Sequence, residues 1–170
     1  MTPSPLSAPA HLLAYLSTHR VDFELLEPGV PMPTVPAAAT AIGVSPELIL
    51  KTLLFVGEDA SYVVAIANGS RRINPQLLST ASGIARPRPA RPDVVFDVTG
   101  YPAGGVAPLG LPEGLEVIVD ERAAQLPVAY GGGGLDHLLL RLRPADINRL
   151  NGGRTAQIVD HDPLDSSASG

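Results

Sequence analysis

Two apolar runs close together constrain this chain most: KTLLFVG at residues 51–57 and SYVVAIANG at 61–69, joined through the turn-forming GEDA. Both are rich in β-branched and aromatic residues, and so short a link leaves no room for a crossover. They predict an antiparallel hairpin. The hairpin opens inside LILKTLLF (48–55), which holds the only lysine of the chain, Lys51, among leucines; all other basic side chains are the eleven arginines. An ammonium buried among apolar groups is costly unless it is paired or reaches water. Lys51 is therefore either a snorkelling residue at a strand end or a partly desolvated anchor for an anion.

The segments around the hairpin are short. HLLAYLSTH places Leu12, Leu13, Tyr15 and Leu16 at helical spacing from His11 onward, and VDFELLE turns Val21, Phe23 and Leu25 inward as a strand. Thr34 is placed to cap a helix with Pro36 in its first turn and Gly43 closing it, and Ser45-Pro46 starts another helical turn. INPQLLSTASG reads as a helix ended by Gly83, ARPRPARP as extended chain, and PDVVFDVTG as a short helix or turn. TGYPAGGVAPLGLPEG (99–114) is too rich in turn residues to be an element. LEVIVDE is a strand, ERAAQL a helical turn, and PVAYGGGGLDHLLLRLRP two strands across four glycines. ADINRLNGG is a last short helix and TAQIVD a last strand.

No βαβαβ rhythm runs through this order. The expected fold is α+β: one domain with a mixed, mostly antiparallel sheet surrounded by short helices. Its expected bounds are residues 11–160, with 1–10 and 161–170 as flexible ends rich in Pro, Ser and Asp.

At 170 residues the chain suits a single core. It has no cysteine, which excludes disulfides, thiolate metal sites and cysteine nucleophiles. No apolar stretch approaches the ~18 residues of a membrane span, and MTPSPLSAPAHLL lacks the pattern of a signal peptide. A cytoplasmic location, with no membrane partner, is the expectation. The net charge of −5 argues against broad nucleic-acid binding. Yet Arg71, Arg72, Arg86, Arg88 and Arg91 fall within about twenty residues. They form either a local patch for one end of a nucleic acid or a set of solvated loop arginines.

Three further features are candidates for chemistry. In TGYPAGGVAPLG, Gly104 and Gly105 let backbone approach a ligand and can turn N–H groups toward an oxyanion, while Pro108 stiffens the exit; a tight connection is the plain alternative. In YGGGGLD (130–136), four glycines strip side chains from beside Asp136, though a flexible hairpin tip has the same look. His11, His19, His137 and His161 show no metal-type spacing, and strand alternation is expected to separate His137 from Asp136. No metal and no cofactor are expected. Serine-hydrolase, zincin, phosphate-loop and dinucleotide motifs are absent.

AIGVSPELILKTLLF (41–55), VTGYPAGGVAPLG (98–110), VIVDE (117–121) and YGGGGLD, in this order, resemble the YbaK/ProX family of aminoacyl-tRNA deacylases. That family includes the editing domain inserted in bacterial prolyl-tRNA synthetases, and the resemblance spans about residues 11–160. It implies hydrolysis of the ester joining a wrong amino acid to the tRNA 3′ end. Lys51 would hold the terminal adenosine and its phosphate. The loop from Gly104 to Pro108 would border the aminoacyl pocket, its amides near Gly105 and Val106 steadying the oxyanion. Attack would come from water or from a group of the substrate, since the family has no protein nucleophile.

Thr34, Tyr101 and Asp136 are the implied substrate contacts. Asp136 matches an aspartate of the cysteinyl-tRNA(Pro) branch, and Thr34 stands where that branch carries an aromatic residue. Synthetases discriminate poorly against small or isosteric amino acids, so a second hydrolytic site is needed. Ala, Ser or Cys on tRNA(Pro) are the expected substrates, and the tRNA acceptor end and prolyl-tRNA synthetase the expected partners. A noncatalytic module of the same fold, binding a nucleotide, a tRNA end or a synthetase, is the competing reading.

Overall fold

The computed structural model describes residues 7–160; the expected tail 161–170 and the first six residues lie outside the described residues. The hairpin forms as expected. β2 (Leu50–Val56) pairs antiparallel with β3 (Tyr62–Asn68) in unbroken register from Leu50↔Asn68 to Val56↔Tyr62. The turn closes through Gly57 N–H donating to Ser61 O at 2.8 Å.

The hairpin is the centre of a five-stranded sheet ordered β4-β2-β3-β5-β8. β4 (Arg88–Pro89) pairs antiparallel with the far end of β2, whereas β5 (Glu116–Asp120) and β8 (Thr155–Ala156) continue the sheet in parallel beyond β3. Both faces are covered. Val64, Ile66, Val117 and Val119 pack on one side, and Val63, Ala65, Ala67 and Ile118 on the other. This is why VVAI and VIV read as continuous apolar runs rather than alternating ones.

A second, antiparallel sheet is ordered β1-β7-β6, from β1 (Glu24–Leu26), β6 (Ala129–Gly132) and β7 (Leu139–Leu142). The single mixed sheet expected from the sequence is thus two sheets, which touch at an isolated parallel bridge between Ile49 and Tyr130. Four of the six pairings are antiparallel.

Three of the helices are kept short by a proline in the first turn and a glycine at the end. α2 (Val35–Ile42) is capped by Thr34, whose Oγ1 accepts from Ala37 N–H, and stops at Gly43 with φ 71°. α3 (Pro75–Ser82) starts at Asn74, which accepts from Gln76 and Leu77 N–H, and stops at Gly83 with φ 78°. α4 (Pro92–Thr99), left between helix and turn by its sequence, is a helix ended by Gly100. α1 (Ser7–Thr18) begins before His11, so part of the expected flexible end is helical. Leu12 and Leu16, four residues apart, are fully buried, each contributing about 1.5–3 kcal/mol of apolar transfer. α5 (Glu121–Ala124) and α6 (Pro144–Leu150) complete the set. Asp120, buried at the end of VIVDE, accepts from Arg122 N–H and Ile158 N–H and so ties β5 to the C-terminal segment. Residues 100–115 contain no helix or strand, as expected.

Candidate functional site

The two sheets and the glycine-proline loop enclose a cavity of about 200 Å³. It lies between the start of β2, the loop before α2, residues 104–106 and the β6–β7 turn. Of the residues singled out by sequence, Lys51, Thr34, Gly104, Val106 and Asp136 line it together. An adjoining depression of about 360 Å³ shares Met32, Pro33, Gly104 and Asp136 and adds His137.

Lys51 is half-buried, and among the described residues no carboxylate lies within ion-pair distance of it. Burial pushes its ammonium pKa down, and the nearby Arg72 guanidinium pushes it further the same way. A snorkelling lysine in open water would show neither effect. A partly desolvated ammonium beside a second cation has the chemistry to anchor an anion. The expected arginine patch is partly neutralised: Arg71 pairs with Glu47, Arg86 with Glu58 and Arg91 with Asp93. Arg72 is the member whose charge acts on Lys51.

The opposite wall is held by close approach. A Cβ on Gly132 would enter the Val106 carbonyl, and one on Gly105 would stand 2.8 Å from the Leu135 backbone. A Cβ on Gly131 would press on the Pro108 ring at 3.1 Å. The four-glycine run is therefore not a loose tip: Gly131 and Gly132 belong to β6, and their missing side chains let the loop lie against the strand. Pro108 is buried there and does not line the cavity.

Three side chains from separate parts of the chain hold successive carbonyls at the loop's exit. Asn151 Nδ2 donates to Pro108 O at 2.8 Å, and Tyr101 Oη donates to Leu109 O at 2.8 Å. The ring of His11 lies 3.1 Å from Gly110 O. Tyr101 is 1% exposed, and burial keeps its phenol pKa well above the ordinary value, with Tyr15 adding to the rise. Implied as a substrate contact, it instead pins the loop from within. Gly105 also departs from its implied role, because its N–H already donates to Pro102 O at 3.0 Å. Val106 N–H has no acceptor among the described residues and faces no such competition.

Asp136 is exposed at the cavity mouth, with its Oδ1 3.3 Å from His137 Nδ1. Alternation does not separate the two, because both lie in the turn rather than in β7. Thr34 lines the mouth while its hydroxyl serves α2. Thr52 was not singled out by sequence. It is 7% exposed, it lines the cavity, and its Oγ1 is buried without a hydrogen-bond partner among the described residues. The one legible signal was a hydroxyl amid leucines. Among the described residues no group of three His, Asp or Glu could hold a metal, and no helix is long and apolar enough to cross a membrane.

Fold and cavity define a class: an α+β domain with a small, largely apolar pocket lined by a lysine that has no carboxylate partner among the described residues. The chain belongs to the aminoacyl-tRNA editing domain family, whose model matches residues 30–150. A protein of Enterococcus faecalis with the provisional name Cys-tRNA(Pro)/Cys-tRNA(Cys) deacylase EbsC is 28% identical over 123 residues, 72% of this chain and 75% of that protein. The proline–tRNA ligase of Streptococcus uberis is 30% identical over 103 residues, 61% of this chain and 16% of the ligase. A crystal structure provisionally described as a trans-editing enzyme for prolyl tRNA synthetase superposes with a TM-score of 0.80 at 27% identity, covering 94% of this chain and all of the other.

Proposed function

We propose that this chain is a trans-editing deacylase that hydrolyses a small amino acid (Ala, Ser or Cys) from mischarged tRNA(Pro). The observation that carries the reading is Lys51: a partly desolvated ammonium without a carboxylate partner among the described residues, lining a cavity of about 200 Å³. The tRNA 3′ end offers a phosphate, a nucleoside and a small acyl group in sequence. Lys51, with Arg72 behind it, takes the phosphate; the adjoining depression takes the adenosine; the cavity takes the amino acid. The names of EbsC and of the prolyl-tRNA relatives support this assignment of tRNA.

Water, or a substrate group acting first, adds to the ester carbonyl carbon. The bond from that carbon to the ribose oxygen then breaks, the ribose oxygen takes up a proton, and the amino acid leaves as its carboxylate. The protein's part is positioning and charge stabilisation. Val106 N–H is the loop donor available to the developing oxyanion, and Gly104 leaves the approach clear. Lys51 is an anchor and not a nucleophile.

Deacylation of Ala-, Ser- and Cys-tRNA(Pro) tests the reading, with wild type compared against Lys51→Ala. The expected result is turnover of at least one substrate by wild type, and a KM raised at least tenfold in the variant. No turnover of any of the three would favour a noncatalytic binding module.

A further inference from the structure

Ile49, Leu50, Lys51, Thr52 and Leu53 all line the cavity. Successive side chains of a strand point to opposite faces, so five in a row line one cavity only along the strand's edge. The register shows which groups that edge presents. Gly57 N–H donates to Ser61 O and Gly69 N–H to Ile49 O. By the alternation of an antiparallel ladder, residues 51, 53 and 55 then turn their backbone groups toward β3, and Leu50, Thr52 and Leu54 turn theirs outward.

On the outer side, Leu54 O is taken by Ala90 N–H, and β4 pairs only with Phe55 and Val56. The bridge from Ile49 to Tyr130 occupies the other end. Among the described residues no strand pairs with β2 between these points, and Thr52 lies in the middle of the gap. Its backbone N–H and C=O therefore face the cavity side unpaired.

We propose that the backbone of Thr52 is the subsite for the amino-acid part of the ester. The α-ammonium donates to Thr52 C=O while Thr52 N–H donates to the ester carbonyl. An aminoacyl group carries its amine and carbonyl on one carbon, as a strand residue does, so both bonds form together, as in strand addition at a sheet edge. The subsite rests on the editing reading and deepens it. It grips atoms common to every amino acid, leaving selection among them to the size of the cavity. Thr52 N–H also joins Val106 N–H as a donor toward the carbonyl that becomes the oxyanion. Among the described residues the Thr52 hydroxyl has no partner to lose, so turning it about χ1 adds a third contact without breaking a bond.

The test is single-turnover hydrolysis of tRNA(Pro) carrying alanine or propionate, each rate divided by its uncatalysed rate, with wild type, Thr52→Pro and Thr52→Val. Proline is tolerated where a strand's N–H points away from its partner, and a circular-dichroism melt confirms folding of each variant. Wild type is expected to accelerate the alanyl ester at least tenfold more than the propionyl ester. Thr52→Pro is expected to lose at least tenfold on the alanyl ester, and Thr52→Val less than Thr52→Pro. Equal acceleration of the two esters, or a folded Thr52→Pro variant as active as wild type, overturns the subsite while leaving the deacylase reading intact. So does Thr52→Val losing as much as Thr52→Pro, which would make the hydroxyl the reader. A wild type inactive on alanyl, seryl and cysteinyl esters overturns the deacylase reading, and the subsite with it.

Discussion

The cavity has two walls built on opposite terms. On the loop wall, successive carbonyls at 108, 109 and 110 are each held by a side chain, and Gly105 N–H closes its own turn. On the β2 wall, among the described residues, an ammonium lacks a carboxylate, a buried hydroxyl lacks a partner, and a stretch of strand edge lacks a paired strand. Unmade interactions in a folded protein cost stability. On the proposed function, the substrate supplies the partners that this wall lacks among the described residues, opposite carbonyls that are already held.

That contrast breaks first if the loop wall tolerates bulk. Gly132→Val drives a side chain into the Val106 carbonyl and is expected to cost about 3 kcal/mol in urea unfolding, with deacylation lost. A stable, active variant would mean the loop does not need its close seat on β6. Next in size is Tyr101→Phe, which leaves the buried Leu109 carbonyl without its donor. Its expected cost is about 1–2 kcal/mol by thermal melt. The loss should appear as stability and kcat together, without the selective rise in KM of a substrate contact.

The β2 wall predicts the opposite sign. Thr52→Val removes an unpartnered buried hydroxyl at nearly constant volume and is expected to stabilise the fold by about 1 kcal/mol while slowing turnover. A destabilised variant would show that the hydroxyl is satisfied in the fold. The smallest effect concerns pH. The folded pKa of Lys51 lies below its ordinary value, so the unfolded chain binds this proton more tightly. Fold stability therefore rises with pH between the lowered and the ordinary value. On the proposed anchoring by the ammonium, binding of the RNA end is expected to fall as pH passes the lowered value. Arg72→Ala removes a like charge and should move that fall to higher pH in a binding titration.

Much of this was legible in the residues. The hairpin, the α2 cap at Thr34 and the stops at Gly43 and Gly83 are local chemistry, and local chemistry is written in order along the chain. The Lys51 region and the loop each stood out by residue types rare for their surroundings, and it was the resemblance to the editing family that joined them; both line the one cavity. What escaped was non-local. Whether YGGGGLD is a loose tip or a seat for Val106 depends on a loop about twenty-five residues upstream. The place of Tyr101 depends on the carbonyl of Leu109, and the commitment of Gly105 N–H on the turn at Pro102. The split into two sheets, and the gap at Thr52 it leaves, follow from where β4 and β6 end along β2.

Because Lys51 is the only lysine of the chain, lysine labelled with ¹³C at Cε gives one side-chain signal, and its titration by NMR reads the central claim directly. In the free protein the signal should titrate below the ordinary lysine value, and adding a short RNA ending in CCA should raise that midpoint as phosphate meets the ammonium. An ordinary midpoint that does not move with RNA would contradict Lys51 as the anchor of the tRNA end.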